Sequence, residues 1–348
     1  MKLALDAMGG DDAPRINIEG AVQVLSKLDS LSKLYLVGDE SVLKKSCDAA
    51  GIGKDSRLEI VHAPEVVGMD ESGLAAVRQK KNSSMSISVD MVKKGEADAV
   101  ISAGNTGAAV AASTIKLRLL EGVERAGIVS PLPSIHGYVL VSDTGANPDA
   151  KPRHLVGYAV MAAMMARYVY NREMPNVGVM SNGTEDCKGS EFSLKTYALL
   201  RALDDRGLLP FHFDGNCEGH DLFETELDVA VTDGFTGNIL LKSVEAVAKA
   251  YTNWIKAGIM GGSAMAKMGA LCMRSVFKGL KERMSADAIG GCPLMGVNGV
   301  SIIAHGSANA TAILNACRMA AGMVRNNVND RIIETMSKIN PVLKELEG

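Results

Sequence analysis

Two side chains in this 348-residue chain are placed for chemistry, Lys188 and His305, each in a short polar loop after an apolar run. Lys188 closes the loop Ser181-Asn-Gly-Thr-Glu-Asp-Cys-Lys-Gly189, just before a helical pattern. A helix start favours negative charge, so a lysine there is unfavourably placed. Binding an anion or a developing oxyanion fits that placement; an exposed, solvated lysine is the plainer alternative. His305 follows the strand-like Ser301–Ala304 and precedes Gly306-Ser307. It can donate to an anion or protonate a leaving group, or it can be a hydrogen-bonded structural histidine.

Small and polar residues gather at the ends of other apolar runs as well. The loops are Asp6–Pro14, Ser102–Gly107, Ser142–Asn147, Ser181–Gly189, Asp214–Asp221, Thr232–Asn238 and Ala304–Ser307. In an open parallel sheet, ligands bind beyond the carboxyl ends of the strands, so these loops are expected to face one crevice. Gly9 and Gly10 either make a tight turn or bring backbone amides close to an anion. Asn105, Thr106, Asn147, Asn216 and Asn238 serve either as substrate-binding donors or as helix caps, which use the same residue types. Asp143 and Asp233 join them as candidate substrate-binding positions. Carboxylates around an anion site are unfavourable. Asp6, Asp11, Asp143, Glu218, Asp221 and Asp233 are therefore read mainly as acceptors that build loops, with Lys151, Arg153 and Lys242 as compensating cations. No compact metal-ligand motif appears, and neither metal nor cofactor is expected. The chain has no Walker A loop, no GxGxxG after a strand, no GxSxG elbow and no HExxH, so those chemistries are not indicated.

The elements that position these loops read as alternating short apolar strands and longer helices. Strands are expected at 2–5, 34–37, 58–61, 99–102, 127–129, 138–141, 177–180, 228–231 and 301–304. Helices are expected near 16–28, 41–50, 73–80, 87–94, 107–119, 154–170, 190–206, 237–257, 307–325 and 329–347. Many strands lack in/out alternation, as strands covered by helices on both faces do. The rhythm predicts a doubly wound α/β fold with a mostly parallel sheet, built as one unit over 1–348. Aromatics are only 4%, against 47% apolar residues and 19 Met, so the core must rely on small and aliphatic side chains. A net charge of −3 gives no ground for a nucleic-acid partner. Six cysteines lack CxxC or zinc-finger spacing, and no signal peptide or spanning segment is seen, so a cytoplasmic protein with reduced thiols is expected.

A stretch from Trp254 to Arg283 departs from this rhythm. It mixes Trp254, Met260, Met265, Met268 and Met273 with Lys256, Lys267, Arg274, Lys278, Lys281 and Arg283, opposed only by Glu282. It reads as an amphipathic helical hairpin with Gly261-Gly262 at its tip. Packing on its own domain or a second subunit, contact with anionic lipid, and docking of an acidic partner all suit it.

The loops resemble those of the bacterial phosphate acyltransferases called PlsX. The matching motifs are DAMGGDDAP at 6–14, ISAGNTGA at 101–108, DTGAN at 143–147, KGSE at 188–191, GNCEGHD at 215–221, DGFTGN at 233–238 and AHGSA at 304–308. They fall in the family's order and span nearly the whole chain; SNGTEDCKG stands where many members carry an NIGEE-type loop. The resemblance implies transfer of a long-chain acyl group from acyl carrier protein to inorganic phosphate, giving acyl phosphate for phospholipid synthesis. It implies a fold related to phosphate acetyltransferases and to isocitrate and isopropylmalate dehydrogenases. It also implies a homodimer that meets the membrane, or the downstream glycerol-3-phosphate acyltransferase, peripherally. For that reaction Lys188 and His305 are the catalytic candidates, and no covalent acyl-enzyme is required. A dehydrogenase of the isopropylmalate type and a non-catalytic acyl-chain sensor are the rival readings.

Overall fold

The computed structural model describes residues 1–284 and 289–347, with side chains outside 281–284. One 11-stranded sheet runs through the molecule. Its strands are β1 (Lys2–Asp6), β2 (Lys33–Gly38), β3 (Leu58–His62), β4 (Ala99–Ser102), β5 (Gly127–Ser134), β6 (Gly137–Ser142), β7 (Asn176–Met180), β8 (His212–Cys217), β9 (Val229–Val231), β10 (Cys292–Met295) and β11 (Val300–Ile303). The spatial order is β3-β2-β1-β4-β11-β10-β5-β6-β9-β7-β8. The pairing is parallel from β3 to β11 and again from β6 to β8. Between these halves, β10 runs antiparallel to β11 and to β5, and β5 runs antiparallel to β6.

Three successive reversals mean that the two parallel halves point in opposite directions. The carboxyl ends of β1, β4 and β11 lie along one edge of the sheet, and those of β6, β9, β7 and β8 along the other. The sequence suggested one crevice for all the loops. The hairpin Ser134–Gly137 and the short β10 undo that, because neither carries a helix-length crossover that would restore direction.

Two strands escape the sequence pattern. β8 contains Asp214, Gly215 and Asn216, which resemble a loop, yet it pairs with β7 on both sides of a register shift that leaves Asp214 out of the ladder. β10 holds Pro293 and is only four residues long. β5 extends further than its apolar start suggests, through Pro131 and Pro133. Its pairing with β10 stops at Ile128, so those prolines sit where only β6 is a neighbour. A missing N–H is tolerated on such an edge.

Helices cover both faces. α1 (Arg15–Lys27) packs with α12 (Ala310–Arg325) over one half, and α6 (Pro152–Val169) with α7 (Glu191–Asp204) and α13 (Val328–Glu347) over the other. The opposite face holds α3 (Gly73–Gln79), α4 (Ser84–Lys93) and α5 (Thr106–Leu117). α2 (Glu40–Ala49) flanks β2 and β3, and α8 (Asp221–Glu224) is a single turn. α6 is buried almost all round because Ala and Met alternate with Leu and Val, letting it sit close to the sheet.

His154, in the first turn of α6, shows how that burial couples to charge. Its Nδ1 accepts from the Lys151 N–H at 3.0 Å, and its Nε2 faces Glu124 at 3.5 Å. Burial holds the imidazole below its ordinary range, against the pull of Glu124. The unfolded ring begins to take up protons near its ordinary pKa of 6.5, where the native ring does not. Stability is therefore complete above that pH and falls as pH drops below it. Urea unfolding between about pH 7 and about pH 5 should show this loss, and His154→Gln should flatten it. An unchanged slope in the variant would assign the acid sensitivity elsewhere.

The stretch from Trp254 is longer and more exposed than a hairpin. α9 runs from Gly234 to Gly261 without a break, followed by α10 (Ala264–Cys272) and α11 (Arg274–Met284). Trp254, Met260, Met265, Met268 and Leu271 are all more than half exposed. The side chains of Lys281, Glu282 and Arg283 lie outside the described set. No helix among the described residues is long and apolar enough to cross a membrane.

Candidate functional site

The first group of loops gathers where β1, β4 and β11 end. Gly9 lies so close to the Gly104 amide that a Cβ would come within 2.7 Å of it. Gly10 adopts φ +109° and packs on Ala103 and the Gly306 carbonyl, which accepts from the Asp11 N–H at 2.8 Å. These glycines thus bring three loops together backbone to backbone. Asp6 lies beneath them, accepting from the Ser102 hydroxyl at 2.7 Å and the Met8 amide at 3.3 Å. Burial pushes its carboxyl above the usual range, despite hydrogen bonds that oppose the shift.

Asn105 caps α5 by accepting from the Ala108 N–H, and its amide donates to the carbonyls of Gly68, Met69 and Glu71. Those contacts use its whole side chain. Thr106 is exposed in the first turn of α5. His305 is exposed beside them. Its Nδ1 accepts from the Ser307 N–H at 3.2 Å and meets the Ser307 hydroxyl at 2.8 Å. A neutral ring held this way carries its proton on Nε2, facing away from the loop.

The second group lies on the opposite edge. Asp143 is fully buried and accepts from the amides of Ile128, Gly145, Ala146 and Asn147 at 2.7–3.1 Å. Asn147 donates from its side chain to the Ala126 carbonyl. Asp233 caps α9 through the amides of Phe235 and Thr236, both at 2.9 Å. Asn238 is exposed on the first turn of α9, against Gly145. Asp221 accepts from the Glu218 amide at 2.8 Å. Of the loop carboxylates, Asp6, Asp143, Asp221 and Asp233 thus accept from backbone amides, as loop-building acceptors do.

Lys188 is exposed at the end of its loop, next to the Ser190 cap of α7. Asn216, buried at the end of β8, donates to the carbonyls of Glu185 at 2.8 Å and Lys188 at 3.4 Å. It therefore ties the lysine loop to the sheet. Two suggested compensating cations are committed elsewhere: Arg153 pairs with Glu124 and Glu347, and Lys242 pairs with Glu245. Lys151 is exposed at the start of α6.

Within one chain, Lys188 and His305 do not meet. They sit on opposite edges, and β7 and β11 are five strand steps apart. At about 4.8 Å per strand that is about 24 Å of sheet width. The structure also brings in a residue that sequence reading passed over. The Ser181 hydroxyl is buried at the end of β7 with no hydrogen-bond partner among the described residues. Its only signal in the sequence is its place as first residue after an apolar strand.

A glycine-rich α/β sheet with polar loops on both carboxyl edges defines the class. A phosphotransacetylase from Streptococcus pyogenes superimposes with TM-score 0.59 at 15% identity, covering 93% of this chain and 94% of that one. A branched-chain phosphotransacylase from Enterococcus faecalis gives 0.56 at 11%, covering 94% and 99%. At such identities these show the phosphotransacylase fold alone. A family model described as fatty acid synthesis protein matches residues 1–331. A phosphate acyltransferase from Akkermansia muciniphila is 59% identical over 342 residues, covering 98% of this chain and 97% of that protein. Another, from Geobacter sulfurreducens, is 42% identical over 337 residues, covering 97% and 94%. The chain belongs to the phosphate acyltransferase (PlsX) family and is an acyltransferase.

Proposed function

We propose that the protein transfers a long-chain acyl group from acyl carrier protein to inorganic phosphate. The observation that carries this reading is the Lys188 loop: an exposed ammonium beside a capped helix start, held to the sheet by Asn216. Both features favour an anion. Phosphate is already a nucleophile at neutral pH, so it attacks the thioester carbonyl directly. The C–O bond forms, the C–S bond breaks, and the departing sulfur takes a proton from His305. Lys188 holds the phosphate or the oxyanion. Orientation of the two substrates supplies about 7–11 kcal/mol of the barrier reduction, and one oxyanion donor about 3–4 kcal/mol.

Because the two catalytic candidates sit on opposite edges of one sheet, a site that uses both needs two copies of the chain. A homodimer with Lys188 from one copy and His305 from the other satisfies this. Incubation with long-chain acyl carrier protein and phosphate tests the reaction, with free thiol and acyl phosphate as products. Thiol release that does not depend on phosphate would sink it.

For the exposed α9–α11 segment we favour peripheral contact with anionic membrane, since Met and Trp stand beside Lys256, Lys267 and Arg274 there. Vesicle flotation of wild type should exceed that of a Met260→Glu, Met265→Glu variant severalfold. Equal flotation would turn attention to carrier docking.

A further inference from the structure

Two buried polar atoms under the lysine loop have no hydrogen-bond partner among the described residues: Ser181 Oγ and Asn216 Oδ1. Burying such atoms unpaired is costly, and each in a native structure calls for a reason. Asn216 is 6% exposed, and its Nδ2 is already committed to the Glu185 and Lys188 carbonyls. Those two donations fix which end of the amide is oxygen. Oδ1 is therefore an acceptor without a donor.

Both atoms lie on one side of the sheet. Val179 is the in-register partner of Asn216, and Ser181 is two residues beyond Val179, so the period of two turns both side chains toward α7. The Ser181 amide continues the ladder by donating to the Cys217 carbonyl at 2.9 Å. Its hydroxyl lies 3.0 Å from where a Cβ of Gly189 would stand, and Gly189 is the last residue before the α7 cap. α7 is 14 residues long, so its first turn presents full N–H groups. Serine hydroxyl, helix start and Lys188 ammonium offer donors; Asn216 Oδ1 offers one acceptor.

That set selects an anion that carries one proton. We propose that these residues form the seat for hydrogen phosphate, with Asn216 Oδ1 accepting its P–OH and Ser181 Oγ donating to a phosphoryl oxygen. This rests on the acyl-transfer reading for its role in turnover, but not for binding. Sulfate has the same shape and no proton near neutrality, so it meets Asn216 lone pair to lone pair. Residues 182–188, exposed except for Gly183, form the loop that Asn216 holds above the two atoms. Glu185, Asp186 and Glu191 face solvent around the mouth, where water screens them. Ser181 and Asn216 are positioning residues on this reading; Lys188 carries the charge.

The test is thermal unfolding of the full chain titrated with inorganic phosphate and, separately, sulfate at matched ionic strength. Phosphate should raise the Tm and sulfate should not. Ser181→Ala removes a hydroxyl that has no partner among the described residues, so it should leave the Tm without ligand unlowered. It should raise the KM for phosphate roughly tenfold, leaving the KM for the acyl thioester unmoved. Asn216→Asp should abolish the phosphate shift. Equal stabilisation by sulfate, or an unchanged phosphate KM and Tm shift in Ser181→Ala, would overturn the seat. Were the wild type to show no phosphate-dependent thiol release, the acyl-transfer reading would fall. The phosphate shift and its loss in Ser181→Ala would still decide the seat.

Discussion

Mixing Lys188→Ala protein with His305→Ala protein is expected to restore activity that neither variant has alone. Each variant should lose about 10²–10³ in kcat/KM, the usual cost of one donor at a developing negative charge. Both side chains are exposed and outside the core, so stability should stay within about 0.5 kcal/mol of wild type. In one chain the two residues are on opposite sheet edges. In a dimer with exchanged sites, half of the random pairs are mixed, and each mixed pair has one intact site. The equal mixture should therefore recover about a quarter of the wild-type rate after subunit exchange. Recovery that tracks time of mixing would support the two-copy site. A flat residual rate, with both single variants impaired, would mean that each residue acts within its own chain.

Gly237→Ala is expected to be the most damaging change of a single methyl group. α9 begins with Asp233 as cap, and its first turn lies against the Asp143 loop. A Cβ at Gly237 would collide with the Asp143 carbonyl oxygen, and one at Gly234 would come within 2.7 Å of the Asp143 carboxylate. At Gly237 the colliding atom is backbone, so no flexible side-chain end can give way. The turn must shift, which strips amides from a fully buried carboxylate, and the loss should be about 3 kcal/mol or more. Urea unfolding should show a lower midpoint at unchanged m-value. Gly258, in the same helix with none of the described residues near its absent side chain, is the control. Gly258→Ala should be neutral or stabilising by up to about 1 kcal/mol, because alanine is the better helix former. Equal effects at both positions would show that helix propensity, not the loop contact, governs.

Most elements are legible in the sequence because their signals are local. β1, β4 and β11 are apolar runs closed by Asp6, Ser102 and Ala304, and α5, α7 and α9 start at Asn105, Ser190 and Asp233, good capping residues placed where strands end. β8 was hidden because Asp214, Gly215 and Asn216 have low strand propensity, and it forms only because β7 offers a partner. β10 was hidden because four residues carry no period.

The loops themselves were legible, but their grouping was not. Lys188, His305 and the glycines at 9 and 10 are set by residue type and spacing, and the family motifs were readable from the same residues. Strand direction is not a local property. It follows from how Cys292–Met295 and the Ser134–Gly137 turn are threaded between two parallel halves. That threading parts His305 from Lys188, and the pairing of β7 with β8 brings Ser181 and Asn216 under the lysine loop. Which chemical groups stand at strand ends is a local matter, since capping, turning and burial are decided within a few residues. Which of those ends face the same way is settled by long-range strand pairing, since direction depends on ladder hydrogen bonds between segments far apart in the chain, such as β11 with β4 and β10 with β5.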